Sequence, residues 1–237
     1  MHTSVLTSWT RRAAASALVA TALVAGAAPT WAATPDAELV LDAAEVQALR
    51  DRMLEVGIDA PTQEALINKM QSGVLPDSTG GAEPVDTFTI NANGVNRTVE
   101  VFADGSRRWT DLENPSSALD SRGNASINAR GIQSCGTSGL WRTNCKVYSS
   151  DLVSEVSFRI DWKPVSVTPA AVRNYWGKSC SNYVGGCSVD GGIRREAQSS
   201  SGPAVAYASF TANLSVYHVS GELALHVSGS SASVILA

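Results

Sequence analysis

The clearest hydrophobic pattern in the chain has a period of two residues and lies in its second half. In the segment VSEVSFRIDWK apolar and polar residues alternate: Val156, Phe158, Ile160 and Trp162 against Ser157, Arg159, Asp161 and Lys163. Successive side chains of a β-strand point to opposite faces, so the apolar set shares one face and the charged set the other. One buried and one solvated face is typical of an antiparallel sheet.

The rest of the second half continues this pattern. Three further strands are predicted at Val205–Tyr217, Glu222–Val227 and Ser233–Leu236, joined by Gly/Ser turns. The segment PVSVTPAAVRNYWG carries Pro164 and Pro169, which predict mostly loop with at most one short helical turn. Many short strands with Gly/Ser turns indicate an antiparallel β-sandwich.

A helical period appears only near the start of the chain, where residues 35–72 are predicted to form a helical hairpin. The first stripe comprises Leu41, Val46, Leu49, Met53 and Val56, and the second Leu66, Ile67 and Met70. Gly57 and Gly73 are natural stops, and Pro61-Thr62 suits a helix start. Both helices are short, so packing must stabilise them.

The period then returns to two residues, with two hairpin signals, Asn93-Gly94 and Asp104-Gly105. They predict a three-stranded meander with strands Val85–Ala92, Val95–Phe102 and Ser106–Leu112. The side chains expected to pack under the helices are Phe88, Ile90, Val99, Val101 and Trp109.

The N-terminus predicts a secretory signal peptide over residues 1–32. Arg11 and Arg12 form a positive region before the apolar stretch Ala13–Ala28, and the small residues around Trp31 suit cleavage after Ala32 or Ala33. A membrane anchor is the alternative, but the stretch is short and Ala-rich for a span of roughly 20 apolar residues. We therefore expect a secreted protein with no membrane span after cleavage.

These patterns divide the chain into regions. Residues 33–113 hold the helical hairpin and meander, the polar residues 114–128 are the predicted linker, and residues 129–237 are the predicted sandwich. The fold class expected is mainly β, with a small α+β N-terminal part and an antiparallel β-sandwich at the C-terminus.

Charge is unevenly distributed between the two parts. The full chain has 18 Lys+Arg and 22 Asp+Glu, and removing Arg11 and Arg12 leaves 16 against 22. Residues 33–114 carry 6 basic and 15 acidic residues, and residues 115–237 carry 10 and 7. The sequence contains no dense basic cluster, so a nucleic-acid partner is not expected.

All four cysteines, Cys135, Cys145, Cys180 and Cys187, lie in the predicted sandwich. An even number in an exported chain indicates disulfides. The gaps are unlike those of zinc ligands or of a redox C-x-x-C pair, and no metal site is predicted. Of three connectivities we favour Cys135–Cys145 and Cys180–Cys187, because each brackets a turn rich in Gly, Ser and Asn.

Four elements occur together in this chain: GIDAPTQEALINKMQSG, FADGSRRW, CGTSGLWRTNCKV and GPAVAYASFTANLSVYHVSGELALHVSGSSAS. Together they resemble exported actinobacterial proteins of unassigned function, and the likeness covers most of the mature chain. The resemblance implies a secreted or envelope-associated bacterial protein. It brings no catalytic residues to this chain.

Catalytic candidates are few. His218 or His226 with a carboxylate such as Glu222 would be needed for an extracellular hydrolase, but the sequence has no G-x-S-x-G motif. Solvent-exposed strand histidines are the more ordinary interpretation, and no privileged pair of carboxylates is evident. We assign no catalytic residue, cofactor or metal, and the sequence does not predict an oligomeric state.

Aromatic residues in or beside the disulfide loops are the remaining binding candidates: Trp141, Tyr175, Trp176 and Tyr183. Exposed aromatic residues on rigid loops bind sugars or protein partners, although large aromatic residues are more often core. The leading hypothesis is a non-enzymatic sandwich that binds an extracellular polymer or protein. The alternatives are the hydrolase and an acidic N-terminal part that inhibits the β part as a pro-segment, with cleavage in the linker.

Overall fold

The computed structural model describes most of residues 40–237, in six ranges: residues 40–92, 94–115, 135–165, 168–183, 185–214 and 217–237. The predicted signal peptide, and the predicted linker beyond its first two residues, lie outside the described residues. The bounds of the predicted regions therefore stay predictions. Within the described ranges, no helix has both the length and the apolar character to cross a membrane.

Three helices precede eleven strands in the described part of the chain. The helices are α1 (Ala43–Glu55), α2 (Ala60–Gln71) and the single turn α3 (Asp77–Gly80). The strands are β1 (Asp86–Ala92), β2 (Val95–Val101), β3 (Arg107–Glu113), β4 (Gly136–Ser138), β5 (Trp141–Ser150), β6 (Ser154–Lys163), β7 (Ala171–Asn182), β8 (Gly186–Arg195), β9 (Ala204–Leu214), β10 (Tyr217–Ser228) and β11 (Ser231–Leu236).

The two longer helices begin and end where the sequence predicts. Asp42 caps α1 by accepting hydrogen bonds from the amides of Ala44 and Glu45, and the Glu45 carboxylate accepts from the Asp42 amide in return. Asp59 caps α2 by accepting from the Thr62 amide at 2.9 Å. After each helix the chain reverses at a glycine with positive φ, Gly57 after α1 and Gly73 after α2.

The Asp104-Gly105 turn of the meander docks against the helices. Gly105 has φ +81, and a Cβ there would lie 2.5 Å from the Thr62 methyl group of α2. The Asp104 carboxylate accepts from the Lys69 ammonium at 2.8 Å and from the Asp77 amide at 2.9 Å. The hairpin turn is therefore also the joint between the helices and the sheet.

The meander strands lie within one residue of their predicted bounds, but part of their predicted packing is wrong. Val99 and Trp109 are buried against the helices, as expected, at 3% and 1% exposure. Phe88 and Ile90 are 37% and 45% exposed instead. The reason is position: β1 is the edge strand, and the cluster beneath the helices takes its meander residues from β2 and β3.

The strands form two antiparallel sheets. The first has seven strands in the order β1-β2-β3-β5-β6-β7, with β4 paired to β5, and the second has four in the order β11-β10-β9-β8. The meander is part of the first sheet, because β3 pairs with β5 from Trp109↔Ser150 to Leu112↔Val147. The helices pack on the outer face of this sheet, near the meander.

The core between the sheets follows the alternation on β6. Val156, Phe158, Ile160 and Trp162 are all at most 3% exposed. Small side chains of β9 and branched side chains of β10 complete the core: Ala204, Ala206, Ala208, Ala212, Leu223, Leu225 and Val227. Large residues on one sheet against alanines on the other allow the two layers to pack closely. The structure thus confirms the mainly β fold class, with helices preceding a β-rich region.

The prediction of a loop across PVSVTPAAVRNYWG is wrong for its second half, which forms the start of β7. The strand begins at Ala171, just after Pro169 and a buried Ala170, so neither proline interrupts it. Two irregularities in its pairing with β6 accompany positive φ at Asn174 and Gly177. Such bulges add a residue to one strand and turn the side chains around them.

Candidate binding face

Both disulfides have the favoured pairing, but they do different things. Cys135 and Cys145 have Cα atoms 4.2 Å apart and join the start of β4 to β5 beside an irregularity in β5. Cys180 and Cys187, with Cα atoms 5.7 Å apart, join β7 of the first sheet to β8 of the second. The second disulfide therefore ties the two sheets together along one side.

Two of the four aromatic candidates are partly buried and have partners within the fold. The Tyr175 ring packs against the core 5.1 Å from the Phe158 ring, and burial raises the pKa of Tyr175 to about 12. Tyr183 donates a hydrogen bond to Glu155 at 2.7 Å, and its ring lies 4.7 Å from the Arg52 guanidinium of α1. Tyr175 thus packs against the core, and Tyr183 helps to hold the helices.

The other two, Trp141 and Trp176, lie on the outer face of the first sheet. Trp176 sits opposite Arg159 in the β6–β7 pairing and is 37% exposed. Trp141, at the start of β5, contacts the side chains of Lys163 on β6 and Arg173 on β7. Alternation places Lys163 on the solvated side of β6, and Trp141 and Arg173 lie beside it on the neighbouring strands.

Cations cover the Trp141 ring. The Arg173 guanidinium lies 3.9 Å from the ring centroid, and the Lys163 ammonium lies 5.2 Å from it. Both distances are within the range of cation–π attraction. The Arg173 side chain remains 46% exposed, so it is held by the ring while still accessible to a ligand.

Asp161 fixes the geometry behind Arg173. It is 5% exposed and accepts hydrogen bonds from the Asn144 amide and the Asn174 side chain, both at 2.8 Å. Its carboxylate also lies 3.5 Å from Arg173 Nε. These partners cover the Asp161 carboxylate, which therefore stabilises the local strand geometry.

Arg159 and Lys146 extend the positive charge toward the meander. Arg159 donates to the Asn144 carbonyl at 2.6 Å and lies 3.3 Å from Glu113. Lys146 sits opposite Arg159, with its ammonium 4.6 Å from the Tyr148 ring, and burial lowers the pKa of Lys146. We call the set on this side of the sheet the outer cationic face: Trp141, Lys146, Arg159, Lys163, Arg173 and Trp176.

Sequence reasoning found only the tryptophans of this face. The alternation predicts a solvated strand face for Arg159 and Lys163, and Arg173 falls in a segment predicted to be mostly loop. The alternation of VSEVSFRIDWK already places Arg159 and Lys163 on one side. The missing information was the neighbouring strand, since Arg173 reaches this face only through pairing of β7 with β6.

Among the described residues, neither histidine candidate is paired with a carboxylate as a catalytic site would need, although the charge of His226 adds to the hydrogen bonds and charge of Arg194 in lowering the pKa of Glu222. His218 Nδ1 lies 2.5 Å from the side-chain oxygen of Asn213. This group is an amide, so it does not supply the carboxylate of a Ser-His-Asp triad. Glu222 binds Arg194 through both oxygens, at 2.9 and 2.7 Å. No ion pair joins His218 or His226 to an acid in the parts of the chain that the structure describes.

Other site types find little support in the described ranges. They contain no group of three or more His, Cys, Asp or Glu residues that could hold a metal ion. A shallow depression on the second sheet is lined by Ser188, Asp190, Ser209, Thr211 and Ser220 among others. It holds neither histidine and lies away from the tryptophans.

Comparisons with known proteins give no further assignment. No protein-family model matches the chain. No significant match was found among the curated proteins or among the solved structures. The site must therefore be interpreted from its own chemistry.

Proposed function

We propose that this protein is a secreted, non-enzymatic bacterial binding protein that holds an anionic extracellular polymer against the outer cationic face. The likeness to exported actinobacterial proteins and the two disulfides support the compartment, because disulfides persist in oxidising surroundings. Of the four aromatic residues that the sequence predicts to bind a ligand, the proposal retains Trp141 and Trp176. Tyr175 and Tyr183 have structural roles in this proposal.

The stacked arrangement of Arg173, Trp141 and Lys163 carries the proposal. A flexible cation normally loses side-chain entropy when it binds a ligand. Here the ring holds the guanidinium at 3.9 Å, and Asp161 lies against its Nε. The Arg173 side chain is therefore already ordered before a ligand binds, so it loses less entropy on binding. The exposed part of its guanidinium is oriented to bind an oxyanion.

The charge balance favours an anionic ligand over a neutral sugar. Four cations of the face, Lys146, Arg159, Lys163 and Arg173, are accompanied by two nearby acids, Glu113 and Asp161, and by Asp111, which is itself paired with Arg97. A neutral sugar would need a bare aromatic ring for stacking, but Arg173 already lies over Trp141. Trp176, which is more accessible, can contact the apolar parts of a polymer.

Isothermal titration with polygalacturonate tests the proposal, with Arg173→Ala as the decisive variant. We expect at least a tenfold loss of affinity, about 1.4 kcal/mol, and weaker binding at higher salt. Arg194→Ala is the matched control. Arg194 is similarly exposed at 52%, pairs with Glu222 and lies 4.3 Å from the Tyr207 ring, but it belongs to the second sheet.

Two further ligands make the test specific. A neutral polysaccharide such as mannan should not bind, and polyglutamate reports whether an acidic peptide is bound instead. The proposal is wrong if Arg173→Ala and Arg194→Ala weaken binding equally, or if mannan binds as well as polygalacturonate. Binding of polyglutamate alone would replace the polysaccharide with a protein ligand.

A further inference from the structure

The edge strand β1 is unusually open. It pairs only with β2, and every residue from Val85 to Asn91 is exposed. Phe88 and Ile90 lie on the same face of the strand at 37% and 45% exposure. A long apolar edge of this kind is a template for pairing with another strand.

The backbone groups at this edge can be assigned from the register. The Asn114 amide donates to the Gly94 carbonyl at 2.7 Å, so even-numbered residues of β2 bond to β3 and odd-numbered ones turn to β1. Their partners in β1 are Asp86, Phe88 and Ile90. The remaining residues, Thr87, Thr89 and Asn91, direct their N–H and C=O groups to the open side, where the Thr87 amide donates to the Asp86 carboxylate at 2.8 Å.

The usual protection of an edge strand is confined to the start of β1, where Pro84 precedes it. There the Val85 amide bonds to the Val101 carbonyl, one residue out of the Asp86↔Val101 register. Soluble proteins place lysine, proline or a bulge on such strands to prevent pairing. From Asp86 to Ala92 the strand has neither lysine nor proline, its pairing with β2 runs without a register shift, and its single charge is Asp86 at one end.

We propose that β1 is a self-association site, where a second copy of this chain pairs antiparallel about a two-fold axis through Thr89. Thr89 then bonds to Thr89 of the partner subunit, and Thr87 bonds to Asn91 of the partner subunit. This register satisfies the outward C=O groups of all three residues and the N–H groups of Thr89 and Asn91, and the Thr87 amide exchanges its bond to Asp86 for one to Asn91 of the partner subunit. It also places Phe88 beside Ile90 of the partner subunit on one face.

The strand's own pattern favours a second copy over an unrelated strand. The sequence Thr-Phe-Thr-Ile-Asn places a large apolar residue on each side of Thr89, so the two copies present matching partners. Asp86 falls opposite Ala92 of the partner subunit, so no like charges face each other. An unrelated strand would gain the main-chain bonds without this match. The inference is independent of the proposed binding function.

Sedimentation equilibrium over about 1 µM–1 mM tests the proposal. We expect a concentration-dependent dimer whose dissociation constant rises at least tenfold in Ile90→Lys. Ile235→Lys is the matched control, since Ile235 is 41% exposed on β11, the end strand of the second sheet. Circular dichroism shows whether both variants remain folded, as expected for exposed positions.

Cysteine crosslinking tests the register. Directly bonded antiparallel residues have Cα atoms about 5.5 Å apart, which a disulfide can bridge, so Thr89→Cys should crosslink rapidly. Thr87→Cys should not, because the two copies of residue 87 lie about 13 Å apart in this register. A protein that is monomeric throughout, a dimer broken only by Ile235→Lys, or equal crosslinking at both positions would overturn the proposal.

Discussion

Asp104 shows how one turn residue links two parts of the protein. Burial alone would raise its pKa, but hydrogen bonds from Lys69, Ser106 and the Asp77 amide outweigh burial and lower the pKa from 3.8 to about 2. Because the folded pKa is the lower one, the carboxylate stabilises the fold above pH 3.8, and this stabilisation is lost as pH falls through about 2.

We expect Asp104→Asn to lower the free energy of unfolding at pH 7 by about 2 kcal/mol, from the size of the pKa shift. Wild type should lose stability between about pH 5 and pH 2 as Asp104 is protonated. The variant should not show this contribution to the pH dependence. Urea denaturation across this range measures both effects. Asp51→Asn, at an exposed side chain of α1, is the control, and equal pH profiles for wild type and Asp104→Asn would contradict the assignment.

Sequence alone predicted the turn at Asp104-Gly105 but not its contacts. The dipeptide specifies a hairpin through local backbone preferences. The bonds from Lys69 and Asp77 bring together residues 35 and 27 positions away. Nothing in the local pattern encodes which helix comes to lie beside the turn, so this part of the fold required the structure.

Helix α1 is held on the sheet by a buried cation. Arg52 donates to Tyr148 and Ser150 at 3.1 and 3.0 Å, forms an ion pair with Glu155, and lies between the Trp109 and Tyr183 rings. Arg52 is not part of the apolar stripe that the periodicity predicts for this helix. A long arginine can bring its stem into the core while its terminal nitrogens reach polar partners, although Arg52 Nε finds none among the described residues. A hydropathy pattern does not encode this arrangement.

Replacing Arg52 with Met keeps the apolar stem and removes the guanidinium. We expect a loss of about 3 kcal/mol in the free energy of unfolding, because Glu155 and the hydroxyl groups lose their partner. Arg50→Met is the control on the same helix. Arg50 and Glu64 form an ion pair with 39% and 55% exposure, so its loss should cost no more than about 1 kcal/mol. Similar chemical denaturation curves for the two variants would show that Arg52 does not anchor the helix.

At the scale of the whole molecule, the sequence predicted a disulfide-containing sandwich but not how its layers are joined. The spacing of Cys180 and Cys187 indicated a disulfide across a turn, and the pairing is as favoured. The spacing does not reveal that the chain changes sheets at that turn. Likewise, the outer cationic face forms only when β5, β6 and β7 lie side by side, which a single strand's alternation does not specify.

The indole N–H signals of the tryptophans test the central claim most directly. Residues 33–237 contain four tryptophans, and Trp109 and Trp162 are buried at 1% and 2% exposure, which makes them internal controls. In a ¹H–¹⁵N NMR titration with polygalacturonate, we predict that the signals of Trp141 and Trp176 shift and saturate together while those of Trp109 and Trp162 stay in place. Unchanged Trp141 and Trp176 signals at polymer concentrations that saturate binding would contradict the account.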